Sequence, residues 1–529
     1  MHFSKPFKYI DPFNIDTASP HCLASPSGEY VATLLRSSIL VRAAASLDIV
    51  RTIKLPSDLA GGAIVTSFLW SPSSTRVLVA LADQVHVFSL SAGGFHGRAQ
   101  VPHPLGTKPA LTCFGATDDE VCVFSPVGLK LSIINFAASK AVEISNPKFF
   151  GVTSASRGFS FRPASRHLAL LTRVAGKDLI SIHGAETREM QRSWYPDTVD
   201  AQGLAWTPDG KWLIVWDSPA HGTRVLFHTP DGHVFKEWRG AHPQPEADDM
   251  NQYGPGVRSL ASSPNSLYVA VADGANRICI LNNRLGEEAR LHHTHIVEPK
   301  ETLQIWQEQA APSAGLGLQA QVPPFIKATQ AVSPPGLSSS SPSDGRSGCS
   351  LIKFDSSSTL LASRLEEAPS TIWIWDIPTR ELRAVLMFHA NITKAEWHPS
   401  LPELLLVRCE GEAYSGIAFV WDPLSDGPRP IDFLPHLSSK RLAGRTSVSW
   451  LKTVEEPAVL FLTDHQECIL TSLADGDGGA KRLPWAQQNP PTTDIITTDD
   501  GPDDGYSTDM DGGVSELDDT FHFKKSPIT

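Results

Sequence analysis

A chain of 529 residues that is 41% hydrophobic has apolar material for a sizeable core, and it is too long for one ordinary domain unless the fold is a repeat or a large closed ring. No apolar run approaches the ~20 residues of a membrane-crossing helix, and the opening MHFSKPFKYIDPF lacks the apolar centre of a secretory signal, so a soluble intracellular protein is expected. The formal charge of −12 is concentrated at one end: residues 494–519 hold ten acidic residues and no basic one, while residues 1–493 hold 47 acidic and 43 basic, a net of −4, which excludes the basic footprint of a nucleic-acid binder.

Taken in order, the chain repeats one pattern, a pair of apolar-alternating segments joined by a tight turn. The pattern occupies residues 23–35 (LASPSGEYVATLL), 68–81 (FLWSPSSTRVLVAL), a degenerate 113–124 (CFGATDDEVCVF) and 159–172 (FSFRPASRHLALLT). The fifth copy, residues 204–217 (LAWTPDGKWLIVWD), is the clearest, because Pro208 presets φ and Gly210 accepts φ > 0, as a hairpin turn requires. Copies follow at 260–273 (LASSPNSLYVAVAD), 352–363 (IKFDSSSTLLAS), 395–408 (AEWHPSLPELLLVR) and a weaker 448–463 (VSWLKTVEEPAVLFLT). The sixth, seventh and eighth each continue into a third strand, RICIL, TIWIWD and IAFVWD.

The turn positions give the period. Pro26 to Pro72 is 46 residues, Pro163 to Pro208 is 45, and Asp355 to Pro399 is 44. Three Trp-Asp dipeptides, Trp216-Asp217, Trp375-Asp376 and Trp421-Asp422, recur within this period. A repeat of ~40–45 residues with four short strands per unit marks WD repeats, each one blade of a β-propeller. The fold class expected is therefore all-β, a WD-repeat propeller with about nine blade-like repeats, closed as a single large ring or as seven blades plus irregular units, over residues 1–473. Residues 3–9 precede the first inner strand and are expected to pair with the ninth blade as the closing strand.

Two segments break the pattern. Pro264 to Asp355 is 91 residues, twice the period. Within it EPKETLQIWQE reads as a short helix or strand over the rim, and 13 of the 18 residues in 332–349 are Ser, Pro or Gly, so a disordered insertion is expected over about 308–349. Residues 474–529 read as a disordered acidic tail.

The opening MHFSKPFKY, the order of irregular hairpins, the LAWTPDGKWLIVWD copy, the following VRSLASSPNSLYVAVADGANRICILN and the loop HTHIVEPKETLQIWQE together resemble the WD repeat-containing protein 8 family of spindle-pole and centrosomal proteins. The resemblance covers roughly residues 1–470; the order of the repeats and the place of the insertion carry it, and the acidic tail and Ser-rich loop depart from it. It implies a non-enzymatic scaffold at the microtubule-organising centre, in cytoplasm and cytoskeleton. The partners implied are a coiled-coil anchoring protein and, in yeasts, a minus-end kinesin.

Residues that could carry chemistry have plainer structural readings. His292, His293 and His295 are ligand types for a metal, yet one of them is expected to fill the turn before an inner strand, the place His389 takes in FHANITKAEWHP. Asp217, Asp376 and Asp422 are expected to bond within blade turns. The Asn391 sequon stands between a turn and a strand in a chain without a secretory signal. The seven scattered cysteines, with no C-x-x-C, fit reduced buried thiols. No P-loop, G-x-S-x-G or H-E-x-x-H sequence is present, so no catalytic, cofactor or metal residues are assigned. In the tail, Ser515 stands in an acidic context suited to phosphorylation, and Phe521 and Phe523 have the form of a short interaction motif. The alternative function is a translation-initiation-type propeller that binds ribosome or initiation factors; the acidic flank favours the scaffold, with protein partners and neither nucleic acid nor membrane.

Overall fold

The 204–217 hairpin shows how the sequence makes a blade. In the computed structural model Leu204, Ala205 and Trp206 pair with Val215, Ile214 and Leu213. The turn closes with Gly210 N donating to the Thr207 carbonyl at 2.8 Å, and Gly210 has φ +67°. The Thr207 hydroxyl accepts from Trp212 N at 3.0 Å and donates to Asp209 at 2.6 Å, so the Thr-Pro-Asp-Gly run is held by its own side chains. Two more strands, Val225–His228 and Val234–Trp238, complete a four-stranded antiparallel sheet.

The structure describes residues 13–15 and 19–473, apart from the segments 61–63, 92–93, 102–106, 127, 149, 151–156, 241–254, 310–324, 338–347, 438–441 and 454–456. Among them are nine sheets built on this plan, eight of four strands and one of six, whose inner strands begin at Cys22, Ser67, Leu111, Phe159, Ala201, Val257, Cys349, Ile392 and Ser447. These are the blades of a β-propeller. The only α-helix among the described residues is the single turn Ser57–Ala60.

Second strands such as Glu120–Phe124, Leu213–Asp217 and Val459–Thr463 are buried at every position, because each blade is covered by a neighbour on both faces. Nine apolar clusters account for this, one at each junction. They run from blades 1 and 2 (Ala32, Val41, Phe68, Val79) round to blades 8 and 9 (Leu406, Val420, Trp450, Leu460). The ninth joins blade 9 to blade 1 through Cys22, Val31, Phe461 and Leu470, so the ring is single and has nine blades. Fully buried side chains such as Leu78, Leu131 and Leu168 each contribute about 1.5–3 kcal/mol relative to exposure.

Polar clasps fix the angle between blades. The indole N–H of Trp70 donates to the Leu23 carbonyl of the preceding blade at 3.0 Å; Trp397 reaches Lys353 at 2.9 Å and Trp450 reaches Glu396 at 3.0 Å in the same way. Turn to turn, Ser27 N donates to the Ser74 hydroxyl, Asp209 N to Ser266 and Asn265 N to Ser358, at 2.9, 2.9 and 3.2 Å. Blades 3 and 4 are joined by a buried bidentate pair, Arg188 to Glu120 at 2.5 and 2.7 Å.

The closing strand is Phe13–Ile15, which pairs antiparallel with Leu470, Ile469 and Cys468. This corrects the assignment of closure to residues 3–9, which lie outside the described residues. Three pairings carry too little pattern to place a strand by composition, and a short connection is enough. Six residues lie between Ile15 and Cys22, and at ~3.3 Å each they suffice to cross a blade whose strands are ~4.8 Å apart.

The insertion is also corrected in part. EPKETLQIWQE forms a strand, Gln304–Glu308, parallel to the outer strand Glu381–Met387 of blade 7. Phe325–Lys327 pairs antiparallel with it, so blade 7 has six strands, and Val332 bridges to Val297. The apolar residues of these strands pack on blades 7 and 8: Phe325 lies edge-on to Phe388 and Phe419, and Trp306 covers Gly427 of blade 8. The stretches 310–324 and 338–347 and the tail 474–529 lie outside the described residues.

The junction between the last and first blades gives a test. Gly28 has φ +78°, and a Cβ there would lie 1.9 Å from the carbonyl oxygen of Lys452 in blade 9. Gly176 shares φ +78° but faces open space. Gly176→Ala is expected to cost roughly 1 kcal/mol for the left-handed backbone alone, and Gly28→Ala roughly 3 kcal/mol or more. Equal midpoints of thermal unfolding for the two variants would contradict this packing of blade 9 on blade 1.

Candidate partner-binding cleft

In blades 5 to 8 the inner strand does not pair evenly with the second. The register shifts between Ala201 and Gly203, Val257 and Ser259, Cys349 and Leu351, and Ile392 and Lys394. Such a bulge adds a residue to one strand and re-aims the side chains beside it. In each case it lies where the inner strand enters the blade, opposite the end of the second strand. On the same side, arginines near the ends of the second strands of blades 4, 7 and 8 reach to the next blade. Arg364 binds the Ile392 carbonyl, Arg173 binds Asp200 at 3.1 Å, and Arg408 donates to the carbonyl and hydroxyl of Thr446, both at 3.0 Å.

Where blades 8, 9 and 1 meet on this face the ring opens into a cleft of about 780 Å³. Its walls include Lys394, Arg408, Cys409, Glu410 and Tyr414 from blade 8, Arg445, Asp464 and His465 from blade 9, and Cys22 and Leu23 from blade 1. Arg408 is half-buried; burial lowers its pKa, and its Nε finds no acceptor among the described residues. Lys394 donates to the Val448 carbonyl at 3.0 Å and pairs with Glu396 at 2.6 Å. Tyr414 donates to both carboxylate oxygens of Glu308 at 3.0 Å, and burial together with that carboxylate pushes its phenol pKa up, so the ring stays neutral. The strand from the insertion thus orients an aromatic of the cleft. Burial pushes the Cys409 thiol up to about 12, which removes it as a nucleophile near neutral pH. Asp464 accepts from the backbone of Ala443, Gln466 and Glu467 at 2.9, 2.7 and 2.8 Å and shapes the rim. Arg445 and Glu410 are exposed. The cleft offers cations, anions and an aromatic held in fixed places, a composition suited to a protein surface.

The Trp-Asp dipeptides fall in two settings. Trp375-Asp376 ends a third strand, and Asp376 accepts from Thr379 N at 2.9 Å. Trp421 ends another, and Asp422 accepts from Leu424 N at 2.9 Å and holds Arg429. Trp216-Asp217 ends a second strand instead; buried Asp217 accepts from Val199, Asp200 and Ser218 N at 2.9, 2.8 and 2.9 Å and fixes the entrance to its own blade. The histidines do not converge. His292 and His295 are exposed, whereas His293 is buried: Nδ1 contacts the Asn276 carbonyl at 2.7 Å and Nε2 the Ser363 hydroxyl at 2.9 Å. The Trp375 indole also donates to Ser363, at 2.9 Å. His293 therefore directly follows the outer strand of blade 6 and bonds across to the second strand of blade 7. His389 is exposed, and it is its backbone N–H that donates to Glu308, at 2.7 Å. Among the described residues no three His, Cys, Asp or Glu side chains gather as a metal site. All seven cysteines are free, and six are buried. Ser515, Phe521 and Phe523 lie outside the described residues. Sequence reasoning missed Arg408, Arg445, Tyr414 and Glu308; the one available signal was EPKETLQIWQE, whose pairing partner is remote in sequence.

No protein-family model matches the chain. The WD repeat-containing protein WRAP73 of Mus musculus is 23% identical over 440 residues, 80% of this chain and 87% of that relative. An uncharacterized WD repeat-containing protein of Schizosaccharomyces pombe is 21% identical over 428 residues, 77% of this chain and 79% of its own. Among solved structures, a eukaryotic initiation factor aligns with TM-score 0.47 and 10% identity over 79% of this chain and 89% of its own. The Saccharomyces cerevisiae protein Sqt1 aligns with TM-score 0.45 and 11% identity over 78% and 96%. Both sequence relatives are named for WD repeats and span most of this chain, which supports a WD-repeat family.

The His293 network has a pH signature. Burial lowers the His293 pKa from 6.5 to about 4, so the folded protein holds the neutral ring. The unfolded chain takes up the proton first as pH falls. Stability from this group is full above about pH 6.5 and is lost progressively towards pH 4, by roughly 3 kcal/mol. Ser363→Ala leaves His293 Nε2 and the Trp375 N–H unpaired and is expected to cost about 1–3 kcal/mol at neutral pH. Denaturant unfolding between pH 7 and pH 4 measures both; a flat profile for wild type against His293→Gln would remove this assignment.

Proposed function

We propose that this WD-repeat propeller is a non-catalytic scaffold at the spindle pole body or centrosome, and that the cleft between blades 8, 9 and 1 receives a coiled-coil anchoring protein. The observation that carries the reading is the cleft itself. Arg408, Arg445 and Tyr414, residue types that dominate binding energy at protein interfaces, stand round one concavity on a rigid ring. A helical partner presents a stripe of side chains to such a concavity, and the acidic and basic residues at its rim set orientation and encounter rate more than affinity. The location is supported by the resemblance in repeat order and in the place of the insertion to the spindle-pole and centrosomal family; a minus-end kinesin would join through the anchored complex. Phosphorylation of Ser515 belongs to the same reading as a means of tuning charge in the tail.

Arg445→Glu and Tyr414→Ala change the cleft at its exposed rim and its half-buried wall. Affinity purification of the full chain is expected to recover a coiled-coil protein in near-equal amount, and each variant to weaken its binding about tenfold, or about 1.4 kcal/mol. A fluorescent tag is expected to mark discrete foci at spindle poles through mitosis, dispersed in the double variant. Diffuse signal with ribosomal or initiation-factor partners would replace this reading with a translation-initiation role.

A further inference from the structure

A second concavity lies on the outer wall, away from the cleft. Blade 1 ends on its outer strand, Ile49–Lys54, and this strand and blade 2 enclose a groove of about 230 Å³. The lining is Arg51, Thr52, Ile53 and Lys54 from blade 1, with Phe88, Ser89, Gly94, Phe95 and His96 from blade 2. It contains two cations and no anion. The Phe88 and His96 rings stack at 4.5 Å, and Phe95, 40% exposed, carries the Arg76 guanidinium over its ring at 5.0 Å. Ile49 and Val50 on the same strand are more than half exposed. A cationic, aromatic groove beside the outermost strand of a sheet has the features that capture an extended peptide: main-chain donors and acceptors along an edge, and recesses for alternate side chains.

The chain supplies a segment of that chemistry. Residues 494–519 carry ten acidic residues and no basic one, and Asp518 and Asp519 are followed at once by Thr520-Phe521-His522-Phe523. In an extended strand residues two apart face the same side, so Phe521 and Phe523 would enter the groove together. The acids just before them would then lie beside Arg51 and Lys54. The described chain ends at Leu473 in blade 9, which is the neighbour of blade 1 in the ring. Forty-seven residues lie between Leu473 and Phe521, and at ~3.3 Å per residue this contour far exceeds the width of one blade.

We infer that the acidic-aromatic segment around residues 516–523 docks in cis into the groove between blades 1 and 2, with Asp518 and Asp519 paired to Arg51 and Lys54 and the two phenylalanines against Phe88, Phe95 and His96. The tail is then an intramolecular ligand of the outer wall, and its release frees both the groove and the acidic segment. This inference is independent of what occupies the cleft between blades 8, 9 and 1.

A photo-crosslinking phenylalanine analogue at position 521 of the full chain tests it. Cross-links are expected within residues 49–54 and 86–96. Arg51→Glu with Lys54→Glu is expected to reduce them about fivefold, the loss of two exposed ion pairs. Adding Asp518→Lys and Asp519→Lys is expected to restore them, and raised salt to weaken the wild-type contact. Phe523→Ala, which leaves the propeller untouched, reports the aromatic part independently. The inference is overturned if cross-links map to another surface, if none form, if charge reversal in the groove leaves them unchanged, or if a mixture of isotopically heavy and light protein shows them only between copies.

Discussion

Everything in this protein depends on the contact between one four-stranded sheet and the next. A blade with apolar residues on both faces of its second and third strands cannot stand in water alone. Leu213, Ile214 and Val215 of blade 5 are all fully buried although they point alternately to opposite sides. The requirement to cover both faces propagates round the ring and ends only when blade 9 meets blade 1. That last contact is sealed twice, by the cluster of Cys22, Val31, Phe461 and Leu470 and by a strand taken from the other end of the chain. Ring closure leaves no blade with an uncovered face, which an open stack of sheets would have at each end.

Apolar stacking is non-directional, so it does not set the angle between blades. The clasps do. Tryptophans that end inner strands reach back one blade, and turn residues such as Ser266 and Ser358 accept from the blade before. At the opposite face arginines reach forward, as Arg408 does to Thr446. The bulges of blades 5 and 8 belong with this second set, because Arg173 and Arg364 meet the start of the inner strand beside them. Two of the side chains that lock neighbouring blades, Lys394 and Arg408, also line the cleft. Partner recognition would then read a surface whose geometry the ring has already fixed, with little ordering left to be done on binding.

The long insertion illustrates a different economy of structure. Its strand Gln304–Glu308 lies parallel to the outer strand of blade 7, while its apolar side chains cover blade 8 and its last residue, Glu308, holds Tyr414. One segment braces a junction and orients a side chain of the cleft. That link joins the rim of the ring to the cleft and makes the insertion part of the scaffold.

Sequence by itself determined the repeat. Period-2 alternation, Pro-Asp-Gly and Ser-Pro turns and a spacing of 44 to 46 residues specify nine hairpins, because these signals are local and each hairpin satisfies most of its own hydrogen bonds. That one of His292, His293 and His295 has a structural role was also legible, but which one, and its buried bonds to Asn276 and Ser363, were not. Tertiary structure decided what depends on distant partners. The count of blades in one ring rests on the contact between blades 9 and 1, over 400 residues apart in sequence. The closing strand fell at Phe13–Ile15 and not at 3–9, because three short pairings carry too little pattern to place a strand by composition. Phe325–Lys327 was hidden, and Gln304–Glu308, read as a short helix or strand, could not be joined to blade 7, because a strand that adds parallel to a remote edge has no hairpin turn to announce it. The cleft was the least legible feature. Lys394, Arg408, Tyr414 and Arg445 become one site only where three blades converge, and no local rule of sequence encodes that convergence.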